Sequence, residues 1–532
     1  MSAHPFPARV KVLLALGAGA AVVLAFIPFH VAPLILLYPV FLNLLTIDGE
    51  KPGRVFLLGF LASLVVNLGG FWWIIYTIHI FGYLPYWIAT LIFLIFCGFG
   101  ALNVPLFAAS AAWLHRRVHL RTQRPVLLAL WFTLGLPAGF VVLEFLVPKL
   151  FPFYFGHALY WLPWLTQICE VAGSQILTFA VMSAGGALTL AWLGRYRHWR
   201  VHPLAVAVPV CLWTVIVGFG VYRLSQTPGP EKILRVALIQ ANIGSLEKVA
   251  ARGGLRSKIR HTMDEYFALT DSVMAREPKP DLVVWPETAM PFELARDGLY
   301  QQEVRDRVML WGKPLITGAY AKSPQDPRRD TNAAYLLTPD GATVSQQIYH
   351  KNILLAFGEY FPGGEAFPAL YRLFPAVSDF ARGREYAVFT LPDGTRLGIT
   401  ICYEAIVPDF FRGAVKPGVQ AVVNLTNDSW FGPTTEPLHH GALASFRSPE
   451  LRVPLIRVTN TGMSFVVDDK GRMGETTAVY EPGVLVKDVR IPAEAPRTIY
   501  LRWGNWLVWL SAGLATALGL MLARRKNASL PS

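Results

Sequence analysis

Three residues with useful chemistry each follow a different apolar, strand-like run of this 532-residue chain. Cys402 ends the run GITIC, Glu287 follows VVWP, and Lys351 follows QIYH. A thiol attacks only as its thiolate, and the ordinary pKa of a cysteine is about 8.5. A neighbouring carboxylate can accept the thiol proton, and a cation can stabilise the negative charge that develops during attack. One Glu, one Lys and one Cys would meet the needs of nucleophilic catalysis without a histidine, although strand-end Glu and Lys side chains are more often simply solvated.

The region that holds these residues, about 226 to 500, has the composition of an ordinary globular domain. Apolar residues at helical spacing predict an amphipathic helix at 257–275. Pro-Asp-Gly turns predict two hairpins, and SFVVDDKGRMGETT predicts a third. Further β-type runs lie at 232–243, 280–291, 313–321 and 421–428. Strands that alternate with helices in this way predict an α/β sandwich with reactive residues at strand ends.

The rest of the chain is far more apolar. The whole chain is 53% hydrophobic and 16% charged, which is unusual for a soluble protein. A membrane-spanning helix needs about 20 mostly apolar residues. Eight runs predict such helices, at 10–29, 31–48, 54–77, 86–114, 126–148, 164–193, 203–224 and 505–523. We therefore expect a seven-helix membrane domain at 1–225, an outer domain at 226–495, and a C-terminal helix with a basic tail at 496–532.

The basic residues between these spans predict the orientation. If the N-terminus is cytoplasmic and the spans alternate, the cytoplasmic segments hold fourteen basic residues and the opposite short loops hold only Lys149. The fourteen are Arg9, Lys11, Lys51, Arg54, Arg116, Arg117, Arg121, Arg124, Arg195, Arg197, Arg200, Arg524, Arg525 and Lys526. This arrangement predicts that both termini are cytoplasmic and that the large domain is outside. It also accounts for most of the net charge of +13, so the charge gives no reason to expect a nucleic-acid partner.

Cysteine usage separates one thiol from the others. Cys97, Cys169 and Cys211 fall within predicted spans, where a small apolar thiol is ordinary. Cys402 is alone in the outer domain, although an oxidising compartment usually pairs its cysteines. A lone thiol there is either buried and inert or retained for its reactivity.

The sequence around the three candidate residues resembles the nitrilase (carbon–nitrogen hydrolase) superfamily. The resemblance lies in WPET at 285–288, YHKN and FGEY within 349–360, CYE at 402–404 and NLTNDSWFG at 424–432. Together with eight predicted spans, these motifs resemble the apolipoprotein N-acyltransferase family over essentially the whole chain.

That resemblance implies an α-β-β-α sandwich facing the periplasm, on an eight-helix domain of the bacterial inner membrane. It implies transfer of a fatty acyl chain from phospholipid to the N-terminal amine of a diacylglyceryl-cysteine apolipoprotein, the last step of lipoprotein maturation. Glu287 would be the general base, Lys351 the stabilising cation and Cys402 the acylated nucleophile of a ping-pong reaction. No metal or diffusible cofactor is required, and we expect a monomer.

Three further residues match positions that the family needs near the site: Glu359, Tyr403 and Glu404. Glu359 either orients Lys351 or Glu287, or it binds a nearby backbone amide. Glu404 either serves the site or is a first-turn carboxylate that the helix dipole favours. The backbone N–H of Tyr403 is a candidate donor to the oxyanion.

Aromatic residues predict where lipid could touch the outer domain. Phe357 and Phe361 lie in a Gly- and Pro-rich segment, 357–380, that is either a mobile arm at the membrane or part of the packed sandwich. Trp430 and Phe431 form a second candidate lipid-contact loop.

Three positions carry no assigned role. Glu144 and Glu170 lie in or near predicted spans, where acids are rare. Val249 stands near the position at which many family members carry a tryptophan.

Two other functions remain to be weighed. A membrane-tethered amidase of the same superfamily would hydrolyse a small C–N substrate, but eight spans would serve no purpose for a soluble substrate. A non-enzymatic scaffold would not need to keep the Glu, the Lys and the Cys in matching motifs.

Overall fold

The computed structural model describes residues 6–524 except for 119, 228, 230, 297, 341–342, 368, 374–376 and 416–417. The chain divides into two compact units. The first contains Met1–Trp72, Trp87–Ser225 and Ile499–Ser532, and the second contains Trp73–Tyr86 and Gln226–Thr498.

Twenty-one α-helices lie in the described part of the chain. They are α1 Ala8–Ala25, α2 Leu37–Thr46, α3 Pro52–Phe71, α4 Trp73–Gly82, α5 Tyr86–Gly100, α6 Asn103–Val118, α7 Pro125–Leu130, α8 Leu136–Leu146, α9 Pro163–Thr166, α10 Cys169–Ala172, α11 Gln175–Arg197, α12 Leu204–Ser225, α13 Ser245–Arg252, α14 Arg256–Met274, α15 Leu299–Trp311, α16 Ala369–Leu373, α17 Pro408–Ala414, α18 Glu436–Ser445, α19 Arg447–Leu451, α20 Ile499–Trp503 and α21 Trp506–Arg524. Shorter 3₁₀ turns include Ala32–Leu36, Phe155–Leu159, Cys402–Ile406 and Asp428–Phe431, and Trp131–Gly135 is a π-helical turn.

Seven helical segments of the described chain are long and apolar enough to cross a membrane. These are Ala8–Ala25, Pro52–Phe71, Tyr86–Val118, Pro125–Leu146, Gln175–Arg197, Leu204–Ser225 and Trp506–Arg524. They correspond to seven of the eight predicted runs, so the predicted polytopic membrane region is confirmed but the count of eight is not.

The eighth predicted run, 31–48, forms a shorter apolar segment, Ala32–Thr46. It folds as a five-residue 3₁₀ turn followed by the ten-residue α2. Pro33 and Pro39 have no N–H to donate, which limits regular helical hydrogen bonding in this run. The predicted span 54–77 also ends early, because α3 stops at Phe71 and α4 belongs to the second unit.

The second unit contains two six-stranded sheets. The first has the order β12-β1-β2-β3-β4-β5 and the second has the order β11-β10-β9-β8-β7-β6. Their strands are β1 Glu231–Gln240, β2 Leu282–Val284, β3 Leu315–Lys322, β4 Asp330–Asp340, β5 Thr343–His350, β6 Val388–Thr390, β7 Arg396–Ile401, β8 Ala421–Thr426, β9 Leu455–Thr459, β10 Phe465–Val467, β11 Met473–Thr476 and β12 Gly483–Pro492. Strands β1–β3 are parallel to one another, as are β7–β9.

Alternate residues of each sheet point into different cores. Val236 and Leu238 of β1 share a buried cluster with Ile399 and Val423 of the second sheet, so the two sheets pack face to face. Intervening residues such as Ala237 pack under α14 and α15. These layers confirm the predicted α/β sandwich.

The three predicted hairpins form as β4–β5, β6–β7 and β10–β11. The predicted helix at 257–275 is α14. The helical stretch after the β8 loop breaks at Phe446, between α18 and α19. Pro449 lacks the N–H that would have reached the carbonyl of Ser445, which explains a break one turn before the proline.

Candidate active site

Cys402 stands at the carboxyl end of β7, as the first residue of the 3₁₀ turn Cys402–Ile406. Its side chain is buried, and its backbone φ is +52°, in the left-handed region that non-glycine residues rarely adopt. Such a conformation costs about 1–3 kcal/mol and persists only where surrounding contacts enforce it. The sharp turn directs the chain out of the sheet at the candidate nucleophile.

Glu287 follows β2 in the first sheet and is also buried. A glycine on the adjacent strand β3 makes room for its backbone. A Cβ at Gly318 would lie 2.6 Å from the Cα of Glu287 and 2.5 Å from the N of Thr288. Any larger residue at position 318 would therefore displace the candidate base.

Lys351 follows β5, and strand register carries it to the end of the sheet where Glu287 lies. Because β4 is antiparallel to both β3 and β5, the start of β4 meets the ends of these two strands. The Lys351 N–H donates to the carbonyl of Asn332 at 2.9 Å, which fixes the turn. The Lys351 Nζ then lies 3.1 Å from Oε1 of Glu287 and 2.8 Å from Oε1 of Glu359.

Asn332 binds the two carboxylates together. Its Nδ2 donates to Oε1 of Glu287 at 2.6 Å and to Oε1 of Glu359 at 3.1 Å. Sequence reasoning missed Asn332, because its role depends on the β4–β5 register. The remaining oxygens are bound by backbone groups: Oε2 of Glu287 accepts from the N of Asn427 at 2.9 Å, and Oε2 of Glu359 accepts from the N of Leu355 at 2.8 Å.

Glu359 therefore contacts groups named in both alternatives, since its Oε1 accepts from Lys351 and its Oε2 accepts from a backbone amide. Glu404 has a different position. Its carboxylate accepts from the N of Ile401 at 2.7 Å, the N of Asn352 at 2.6 Å and the hydroxyl of Tyr349 at 2.8 Å. It thus ties the Cys402 turn to the segment just after Lys351. Tyr403 is half-buried, and burial raises its pKa to about 12.

The electrostatics of the site keep the resting thiol protonated. Burial first, and then the Glu287 charge, raise the pKa of Cys402 well above its ordinary value, against the opposing effect of Lys351. Burial also raises the pKa of Glu287, while Lys351 lowers it. Burial disfavours the Lys351 ammonium, but Glu287 and then Glu359 outweigh it and raise the lysine pKa. The arrangement can accept the thiol proton on Glu287 during attack while Lys351 remains charged.

A second lysine lies close to the base. Lys248 of α13 is buried and donates to the backbone carbonyl of Glu287 at 3.3 Å. Burial lowers its pKa to about 7, with Glu287 opposing. Nothing in the sequence indicated that Lys248, in the helix after β1, would lie beside Glu287. The side chain of neighbouring Val249 lies outside the described residues.

Comparison with known proteins covers both regions of the chain. Residues 235–494 match the carbon–nitrogen hydrolase family, and residues 18–187 match the apolipoprotein N-acyltransferase N-terminal domain. A relative from Bdellovibrio bacteriovorus, named apolipoprotein N-acyltransferase, is 32% identical over 96% of this chain and 94% of its own length. The chain belongs to the apolipoprotein N-acyltransferase family.

Other members of the family are almost as similar. Relatives of the same name from Geobacter metallireducens and Vibrio parahaemolyticus are each 29% identical, over 98% and 96% of this chain and 96% of their own lengths. Among solved structures, an amidase from Nesterenkonia sp. is 21% identical and covers 54% of this chain and 99% of that chain, with a TM-score of 0.36. Family membership makes the protein an acyltransferase with a carbon–nitrogen hydrolase domain and a multi-pass membrane region.

The candidate lipid-contact residues of the acyltransferase differ in exposure. Phe357 is 57% exposed, and its ring meets that of Phe361 at 5.4 Å. Trp430 is 37% exposed and packs on Phe81 of α4. Phe431 is buried against Trp73 at the start of that helix. The side chains of Leu370 and Phe374, which belong to the same predicted arm as Phe357, lie outside the described residues.

The two acids of the acyltransferase's membrane region have structural partners. Glu144 is buried, and its Oε1 accepts from the N of Phe155 at 2.8 Å. Glu170 pairs with Arg223 at 2.9 Å. These contacts hold the turn after α8 and join α10 to α12, so neither acid needs a catalytic role to explain its presence.

Proposed function

We propose that the protein transfers a fatty acyl chain from a membrane phospholipid to the N-terminal amine of diacylglyceryl-cysteine apolipoproteins, through a thioester on Cys402. Family membership supports the reaction. The observation that carries the assignment of residues is the direct contact of Lys351 with Glu287, together with the electrostatic effect of both charges on the Cys402 thiol. The three residues come from three strand ends and two different sheets.

The first half-reaction forms the acyl-enzyme. Glu287 accepts the proton of Cys402 as the sulfur attacks the ester carbonyl of the phospholipid. Lys351 and the backbone N–H of Tyr403 are the proposed donors to the resulting oxyanion. The C–O bond then breaks, and the lysophospholipid alkoxide takes the proton from Glu287.

The second half-reaction regenerates the thiol. The amine of the apolipoprotein attacks the thioester, and Glu287 accepts the proton that the amine loses. The C–S bond breaks, the amide is released, and the departing thiolate of Cys402 recovers a proton from Glu287. The positions of Lys351, Glu287 and the Cys402 turn are maintained in both steps by Glu359, Asn332 and Glu404. None of these three supporting residues bonds to the acyl group. Two such steps predict ping-pong kinetics.

Ion pairs in the first unit support an eighth crossing by Ala32–Thr46. Lys11, in the first turn of α1, pairs with Asp48 at 2.8 Å and Glu50 at 2.6 Å, just after α2. Arg197, in the last turn of α11, lies 3.5 Å from Asp48. The chain thus leaves this end of the unit along α1 and returns to it along Ala32–Thr46. That segment is about 25 Å long, a little short of the ~30 Å hydrocarbon core.

The same charges support the orientation. This end of the unit is the basic one, which the positive-inside rule assigns to the cytoplasm. Helix α12 begins after Arg200 and runs away from the basic end, and the catalytic domain follows it. We therefore propose cytoplasmic termini and a periplasmic catalytic domain. The proposed boundaries are 1–225, 226–495 and 496–532, and the proposed active form is a monomer.

Exposed aromatic residues support lipid contact by the catalytic domain. Phe357 and Phe361 stand on a glycine- and proline-rich segment, and Trp430 lies in the loop after β8. Phe431 would act from beneath, by packing the base of this loop. Both lipid substrates would meet the domain through these rings.

The experiment that tests the function supplies the purified protein with phospholipid vesicles and a diacylated lipopeptide. We expect lysophospholipid and an N-acylated lipopeptide in equal amounts. The rival amidase function predicts ammonia from small amides and neither lipid product. Cys402→Ala should abolish both lipid products, and full activity of that variant would contradict the proposal.

A further inference from the structure

A buried arginine near the nucleophile binds two side chains with its two terminal nitrogens, an arrangement called here the Arg457 fork. Arg457 of β9 is fully buried. Its Nη1 donates to Oδ1 of Asn424 at 2.7 Å, and its Nη2 lies 3.0 Å from Oδ2 of Asp428. A buried charge of this kind is costly unless its geometry is well satisfied. Neither Asn424 nor Asp428 is among the residues assigned to the reaction above.

Both arms of the fork end on the same atom. Nδ2 of Asn424 lies 3.4 Å from the carbonyl oxygen of Cys402. On the other arm, Oδ1 of Asp428 lies 2.9 Å from Nδ1 of His440, and the Nε2 of that ring lies 3.3 Å from the same carbonyl oxygen. The backbone of Cys402 is therefore met from below by two side chains that Arg457 holds in place.

That carbonyl is the point at which the nucleophile turn needs support. Cys402 has a left-handed φ of +52°, and its carbonyl belongs to the same peptide group as the N–H of Tyr403. Fixing the oxygen fixes the direction of this N–H and the rotation of the Cys402 Cα, from which the thiol projects. Glu404 holds the turn through the N of Ile401 on the other side of the cysteine.

We propose that His440, held by Asp428 and Arg457, is a positioning residue that fixes the carbonyl of Cys402 and thereby aims both the thiol and the Tyr403 N–H at the acyl group. The inference rests on the proposed function and deepens it. His440 acts through the backbone and does not touch the substrate.

The charges around the ring fit this role better than a metal site. Asp428, Glu436 and His440 offer ligand atoms within 4.8 Å of one another. However, both oxygens of Asp428 are already engaged, by His440 and by the Arg457 guanidinium. A cation would have to displace one partner beside a fixed positive charge. Both ring nitrogens instead face oxygen acceptors, and the ring donates from both only when it is doubly protonated. Burial and then the Arg457 charge lower the pKa of His440, while Asp428 and the Cys402 carbonyl oppose that effect.

Two amide substitutions distinguish the contact made by Nδ1 of His440 from the contact made by its Nε2. In His440→Gln the side-chain amide extends to about the place of Nε2, so it can still donate to Cys402. In His440→Asn the shorter amide falls near Nδ1, so it can bind Asp428 but does not reach the carbonyl. The variants share one functional group, and each serves as the control for the folding of the other.

The test measures single-turnover acylation of Cys402 from phospholipid, steady-state kcat and KM with the lipopeptide, and alkylation of the resting thiol by iodoacetamide. All rates are expressed per folded molecule, from thermal unfolding and gel filtration in detergent. We expect His440→Asn to acylate about 10–100-fold more slowly, because small misplacements of a reacting group cost this much. KM should stay within threefold, alkylation should slow, and His440→Gln should recover most of both rates.

The inference would be overturned if His440→Asn and His440→Gln were acylated at the same rate and alkylated at the same rate. It would also be overturned if the loss in His440→Asn disappeared once rates are expressed per folded molecule. The alkylation rate needs no lipid, so it tests the positioning role even if the acyl donor is wrong. An unaltered protein that forms no thioester would instead overturn the proposed function.

Discussion

Replacing Glu359 with glutamine tests how far the charged network serves the reaction. Oε1 of Glu359 accepts from Lys351 and Asn332, and Oε2 accepts from the N of Leu355. Every partner is a donor, so the amide nitrogen of Glu359→Gln must face one of them and lose that bond. Burial is the main cause of the raised pKa of Glu287, and the Glu359 charge adds to it, so removing that charge weakens the base.

One lost hydrogen bond to a charged group costs about 1.5–3 kcal/mol. If the network holds the geometry of attack, this cost appears in the barrier and slows acylation by about 10–150-fold. The assay is the rate at which Cys402 gains an acyl chain from phospholipid in a single turnover. Glu365→Gln is the matched control, since Glu365 lies six residues away with its side chain 83% exposed. Acylation of Glu359→Gln within threefold of the control would refute the reasoning.

Three more predictions follow from the same contacts. Asn332→Leu leaves two carboxylates unbridged beside Lys351, so acylation should fall at least tenfold while circular dichroism stays unchanged; an unaltered rate would remove Asn332 from the site. Because burial raises the pKa of folded Glu404 to about 7, above its ordinary 4.5, its contribution to stability should decline as pH rises from about 4.5 to 7. Glu404→Gln should lose that part of the pH dependence of Tm, and an identical Tm profile would contradict this. Alkylation of resting Cys402 should be slow at pH 7 and slower still in Lys351→Met, since the lysine is the group that lowers the thiol pKa; faster alkylation in the variant would argue against that role.

The sequence was enough to predict the three strand-end residues. An apolar run that stops at a polar side chain marks where a buried strand ends, and family motifs supplied the roles. Asn332 could not be found in this way. It stands near the start of a strand, and only the antiparallel register of β4 with β5 brings it beside Lys351 and Glu287. The fork of Arg457 likewise joins β9, the loop after β8 and α18, through pairs that are 29 and 12 residues apart and follow no helix or strand spacing.

Hydropathy predicted the apolar segments but not their helix lengths or the surfaces against which they pack. The run 31–48 is apolar enough to span, but it folds into a shorter apolar segment, Ala32–Thr46, so helix length alone does not confirm the eighth crossing. Residues 73–82 are equally apolar, yet they group with the catalytic unit, where Trp73 and Phe81 pack against Phe431 and Trp430. Composition records that a segment avoids water, and it does not record which surface covers it.

The most direct test of the mechanism is mass spectrometry of the intact protein after incubation with phospholipid, followed by peptide mapping. We predict one added fatty acyl chain on Cys402, released by hydroxylamine as a thioester and lost when the diacylated lipopeptide is added, with the same chain appearing on the peptide amine. An unmodified Cys402 in a preparation that still makes N-acylated lipopeptide would contradict the account.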